Sequence, residues 1–94
     1  MRIRWTEPAV ADLTIICDYL QEYESPALAR TVGQALYRAA QSLSKFPMRG
    51  RTGREEGTRE LVHSHYPYII VYQVRADALY ILRILHASQE WPAR

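Results

Sequence analysis

At 94 residues, 48% of them hydrophobic, the chain has room for one domain, 1–94, built on one core, and it is too apolar to be a disordered tail. No apolar run approaches the roughly 18 to 20 residues of a membrane span. Met1-Arg2-Ile3-Arg4-Trp5 leads into charge instead of an apolar signal core, so a soluble cytoplasmic protein is expected. A net charge of +2 does not argue for nucleic acid, but its distribution is uneven: Glu7 to Glu24 holds five acidic residues and no basic one, whereas Lys45 to Arg59 holds five basic and two acidic. The one cysteine, Cys17, excludes an internal disulfide and falls among apolar helical positions, where it reads as core filler.

Arg2-Ile3-Arg4-Trp5 alternates polar and apolar residues and predicts a short strand at a sheet edge. Thr6 then offers a helix N-cap, followed by Glu7 and Pro8 in the first turn, where a carboxylate and a missing N–H are both tolerated. Val10, Leu13, Ile16, Cys17, Leu20 and Tyr23 recur at helical spacing, which predicts a helix over 7–23. Ser25-Pro26 repeats the start signal, and Leu28, Val32, Ala35, Leu36, Ala39 and Leu43 carry a second helix to about Lys45, before Pro47. The short connection at Glu24 and Ser25 folds the two into an antiparallel hairpin, which Gly33 and the alanines let pack closely.

Met48 to Thr58 holds three of the four glycines and no apolar period, so it reads as a surface loop. Its arginines, Arg49, Arg51 and Arg54, present forked donors suited to phosphate or carboxylate, against which stands the plainer reading of a solvated connection. It is not a Walker loop, and Gly50-Arg51-Thr52-Gly53 matches a KH-type GxxG in spelling only. Three strands follow, near Glu60–His63, Tyr68–Val74 and Leu79–Leu85, with the second as the central one of an antiparallel meander. Alternation puts Ile69 and Val71 on one face and Tyr80, Leu82 and Ile84 together on a face of the last strand. Neither side of the sheet is polar, so helices are expected on one side and a partner on the other. The expected class is α+β, in the order β-α-α-β-β-β with four strands.

His63 and His65 have strand spacing but no acidic or cysteine ligand beside them, so neither metal nor cofactor is expected. His86 closes the last strand, a place suited to a general acid or base, though a surface histidine is the plainer reading. Trp91 either packs under the sheet or awaits a partner.

The order of these elements, with Gly53-Arg54, Gly57-Thr58-Arg59-Glu60-Leu61, Pro67-Tyr68-Ile69-Ile70-Val71-Tyr72 and Ile81-Leu82-Arg83-Ile84-Leu85-His86, resembles the RelE/ParE toxin superfamily, and its ParE-like plasmid-stabilisation branch in particular. The likeness covers nearly the whole chain. It implies the toxin of a type II toxin–antitoxin pair, silenced in a hetero-oligomer by a ParD-like or similar antitoxin, which would lie on Ile69, Val71, Tyr80, Leu82 and Ile84 and alone mediate contact with operator DNA. RelE-like members cut messenger RNA on the ribosome without a metal, and Arg59, Arg83 and His86 fall at comparable places. The stretch after His86 is Ala87-Ser88-Gln89-Glu90-Trp91, without the lysine, arginine or tyrosine of that tail, which favours the branch that poisons DNA gyrase. Arg49, Arg51, Arg54, Arg59, His86 and Trp91 are then the expected target contacts. A third reading is a non-toxic homologue retained as an antitoxin-binding or co-repressor module.

Overall fold

The structure, a computed structural model, describes residues 1–89 and Trp91. Strand β1 (Ile3–Trp5) leads into helices α1 (Glu7–Tyr23) and α2 (Pro26–Ser42), followed by β2 (Arg51–Thr52), β3 (Arg59–Val62), β4 (Tyr68–Val74) and β5 (Leu79–His86). The helices start where the caps predict. The Thr6 hydroxyl accepts from the Ala9 N–H at 3.2 Å and the Ser25 hydroxyl from the Leu28 N–H at 3.0 Å, each satisfying one orphan donor of a first turn. Helix α2 stops three residues short of Lys45, because tight three-residue turns at Leu43, Ser44 and Lys45 wind down its end before Pro47.

The sheet has five strands in the order β1-β5-β4-β3-β2. The expected count of four omits β2, whose two residues pair with Glu60 and Arg59 inside what reads as a loop. The meander β3-β4-β5 is antiparallel and β4 is central, as expected, while β1 closes the edge by running parallel to β5, with Ile3 opposite Leu79 and Trp5 opposite Ile81.

The helix hairpin covers one face. Ala9 of α1 and Val32, Leu36 and Ala40 of α2 bury against Ile70, Tyr72, Leu79, Ile81 and Ile84, each large side chain contributing about 1.5–3 kcal/mol. The stripe read along α1 is partly misplaced, since Val10 and Tyr23 face solvent. Cys17 packs where Gly33 leaves room, as a Cβ there would lie 2.9 Å from its Sγ. Burial and the neighbouring Asp18 raise the Cys17 pKa, which suits filler and not a nucleophile.

A β-bulge corrects the expected facing of β5. Val71 lies opposite Arg83 but Tyr72 lies opposite Ile81, so Leu82 is the extra residue and the alternation changes phase there. Ile84 therefore joins Ile81 on the helix side, and Leu85 crosses to the other side with Ile69 and Val71. That second side is not bare: Val71 is 0% exposed, and Leu82 and Trp91 pack against it.

Candidate functional site: the groove beside strand β5

Beyond Ile81 strand β5 has no strand on its outer side among the described residues, because the chain leaves β1 at Thr6 to begin α1. Thr6 ends the pairing with its N–H on the Ile81 carbonyl at 3.0 Å and its hydroxyl on the Leu82 carbonyl at 2.9 Å. One turn into α1, Asp12 takes over. Its Oδ2 accepts from the Ile84 N–H at 2.9 Å and from Arg83 Nε at 2.7 Å, while Oδ1 accepts from Arg83 Nη2 at 3.0 Å. The bulge frees the amide that Asp12 binds, and the bidentate pair raises the Arg83 pKa further through that hydrogen bond.

Beside this junction lies a groove of about 540 Å³ lined by Asp12, Ile15, Tyr19, Tyr68, Arg83, His86 and others. Ile15 and Tyr19 are 66% and 58% exposed, large apolar side chains standing in solvent on α1. His86 meets Tyr68 edge to face at 5.6 Å between ring centres. Its Nδ1 accepts from the Ser88 N–H at 3.1 Å and lies 2.7 Å from the Ser88 hydroxyl, so a neutral ring carries its proton on Nε2 and offers a donor. Burial raises the Tyr68 pKa, with Cys17 and Tyr19 adding to it, so the phenol stays protonated near neutrality.

Of the sequence-predicted set, Arg83 and His86 come together in this groove and Arg59 does not. Arg59 pairs with Tyr72 and His86 with Tyr68, four residues apart along β4, or about 13 Å at the rise of a strand. The Arg59 fork is bound to its own loop, donating to the Gly50 carbonyl at 2.7 and 3.0 Å and to the Met48 carbonyl at 3.1 Å.

Arg51 and Arg54 are likewise committed. Both face Glu60, which is only 1% exposed: Arg51 donates twice to Oε1 at 3.0 and 3.3 Å, and the Arg54 N–H donates to Oε2 at 3.0 Å with its guanidinium 3.6 Å away. Burial pushes the Glu60 carboxyl up, but the Arg54 N–H, the Arg51 fork and the two guanidinium charges outweigh it and leave the pKa below 4.5. Trp91 turns inward too, its ring against the second sheet face with the Arg83 guanidinium 5.6 Å above it and its carbonyl 3.4 Å from Arg54 Nη1. Ile69 and Val71, expected as antitoxin contacts, are buried, and Ile84 lies in the main core, whereas Tyr80 and Leu82 remain half-buried. Asp12 escapes a reading of the sequence. Its distance along the chain from Arg83 hides the pairing, and only the helix stripe, which turns it toward β5, carries a signal. No three metal-ligating side chains cluster among the described residues.

The model of the ParE toxin of the type II toxin–antitoxin system parDE matches residues 3–91. The chain belongs to this family. The chain is 42% identical over 91 residues to the Y4kP protein of Sinorhizobium fredii (strain NBRC 101917 / NGR234), covering 97% of this chain and 93% of that one. It is 41% identical over 88 residues to toxin RelE2 of Caulobacter vibrioides (strain ATCC 19089 / CIP 103742 / CB 15), covering 94% and 97%. A solved chain from the chromosomal ParDE system of P. aeruginosa superposes with a TM-score of 0.88 at 27% identity, covering 94% of this chain and 97% of that one. The ParE-family likeness therefore includes both helices and every strand.

Proposed function

We propose that this chain is the toxin of a type II toxin–antitoxin pair and acts by binding DNA gyrase, without cutting RNA. The observation that carries the choice is that the cations a metal-free nuclease would use are already engaged. A developing phosphorane charge needs uncommitted donors, yet Arg83 is forked onto Asp12 and Arg59 onto backbone carbonyls. A general base needs a free nitrogen, whereas His86 turns Nδ1 toward its own Ser88 N–H. The grouping of Arg83, His86 and Tyr68 around one groove favours the competing reading, ribosome-dependent cleavage of message.

The antitoxin, ParD-like in this reading, lies along α1 and the groove, and not on the sheet face first expected. Ile15, Tyr19 and Tyr23 are large, apolar and exposed on one side of α1, a row that would promote aggregation in an unpartnered protein. Binding only the folded chain, the antitoxin segment raises the melting temperature by mass action. Ile15→Asp removes most of that shift.

Induction of the chain without antitoxin tests the target. Growth is expected to stop, supercoiling by purified gyrase to fall, and ribosome-bound message to stay whole, with His86→Ala costing far less than the 10²-fold or more that loss of a proton-transfer group carries. Message cut by wild type but not by His86→Ala, with supercoiling unaffected, overturns the gyrase reading. Unimpaired growth assigns the chain to the non-toxic class.

A further inference from the structure

Between Ser25 and Arg54 the sequence contains no carboxylate and six basic residues. Arg51 and Arg54 of that set are held by Glu60. Arg38 and Arg49 form no ion pair among the described residues, and both line a cavity of about 290 Å³ between the last turns of α2 and the β3–β4 turn. Ser42, His63 and Ser64 supply its remaining polar wall, and no acidic side chain lines it. Arg49 is positioned: its Nη1 donates to the Ser42 hydroxyl at 3.1 Å, which itself donates to the Ala39 carbonyl at 2.6 Å. His63 is positioned as well. Its Nδ1 accepts from the N–H groups of His65 and Tyr66 at 3.1 and 3.2 Å, so the ring proton of the neutral form sits on Nε2, a donor.

Two guanidinium forks, an imidazole donor and the Ser64 hydroxyl around one small cavity form an array suited to oxyanions, while the Ser42 hydroxyl, its proton given to Ala39, holds Arg49 in place. The apolar part of its wall is Ala35, Ala39, Leu61 and Val62, with no Phe, Tyr or Trp face on which a base would stack and with the His63 ring turned to hydrogen bonding, so the feature recognised is a backbone and not a base. We propose that this cavity binds a phosphate group of a duplex DNA backbone, so that the chain touches DNA directly and not only through its antitoxin. Lys45, exposed three residues past the end of α2, extends the positive surface along which a duplex would run. The inference does not rest on gyrase as the target, since a duplex in any complex carries the same phosphates.

The test is fluorescence anisotropy of a labelled mixed-sequence duplex titrated with the full chain between about 50 and 200 mM salt. Wild type is compared with Arg38→Gln/Arg49→Gln and with Arg2→Gln/Arg30→Gln, which removes the same two charges elsewhere on the surface. The cavity pair is expected to weaken binding about tenfold or more and to flatten the logarithmic salt slope by about 1, the value for one phosphate that is no longer neutralised. The matched pair should stay within about threefold of wild type. Should the cavity pair melt early, Ser64→Asp, which places a carboxylate at the cavity wall, replaces it with the same expected loss. Equal losses from both pairs would reduce the effect to diffuse charge and overturn the site, as would a wild type that shows no salt-dependent duplex binding. Competition by a glutamate-rich peptide as effective as by the duplex itself would reassign the cavity to an acidic protein segment, and tighter binding of a single strand would overturn the duplex.

Discussion

Two groups of arginines lie close together in this chain and do opposite things. Arg51, Arg54 and Arg59 belong to the glycine-rich stretch that looks made for an external anion, yet they bind Glu60 and the carbonyls of Met48 and Gly50. Arg38 and Arg49 stand on the edge of the same region and are paired with no carboxylate among the described residues. What separates the groups is reach. Glu60 alternates onto the sheet side under the loop and is nearly inaccessible to water, so the nearest cations close over it, whereas the last turns of α2 offer no acid at all. Arginine density in a sequence thus marks where charge is concentrated and leaves open whether that charge faces inward or outward.

The inward-facing arginines depend most on their shared anchor, Glu60. Glu60→Ala leaves two guanidinium groups and the Arg54 N–H without their acceptor. Because both arginines are half-exposed and water reaches them, the cost expected is about 2 kcal/mol, near that of charge-assisted hydrogen bonds. A shift in the urea midpoint at unchanged slope would report it, and an unmoved midpoint would put Arg51 and Arg54 back among the outward-facing set. The same carboxylate sets an acid limit. Its folded pKa lies below the ordinary 4.5, so its stabilising effect is complete above that pH and fades as pH falls through the depressed value. Glu60→Gln should therefore lose less stability on acidification than wild type does.

Trp91→Ala comes next, at about 1.5 kcal/mol for a half-buried indole that packs on Ile69, Val71 and Leu85. Dye binding to the uncovered sheet face should rise with it, and an unaltered melting curve would return Trp91 to the role of external anchor. Asp12→Ala, at about 1 kcal/mol, releases Arg83 and the Ile84 amide together. If the engaged state of Arg83 is what keeps the chain from cleaving RNA, this variant should show the first trace of message cutting, which an RNA integrity assay would detect. Smallest of all, Arg38→Gln should leave stability within about 0.5 kcal/mol. A larger loss would move Arg38 into the structural group.

Much of the fold is legible because its signals are local. Thr6-Glu7-Pro8 and Ser25-Pro26 set both helix starts through capping, and the β-branched run at Tyr68–Val74 marks the central strand. What escapes depends on partners far along the chain. The bulge at Leu82 has no composition of its own, being set by where β1 ends and Asp12 begins, and it moves Ile84 from the expected partner face into the core. Strand β2 is hidden because two residues carry no period, and its existence rests on the closeness of Gly50 to Tyr72. The phenol accepts the Gly50 N–H at 2.8 Å and donates to the Pro47 carbonyl at 2.7 Å, and a Cβ at Gly50 would fall 2.7 Å from the ring. The candidate site is legible only as residue types: His86 and Arg83 stand out, but their engagement with Ser88 and Asp12 is a property of the packed state.

The parallel pairing of β1 with β5 also bears on how the protein is made. Ile3 must wait for Leu79, and Ala9 for Ile81 and Ile84, so β1 and α1 have no sheet to join until β5 has followed them out of the ribosome. During that interval the helix hairpin exists without its core. A polypeptide released early, by a stalled ribosome or a cut message, lacks β5 and with it the strand that joins β1 to β4. Such fragments should be degraded, and the groove beside β5 should come into being only once β5 is in place.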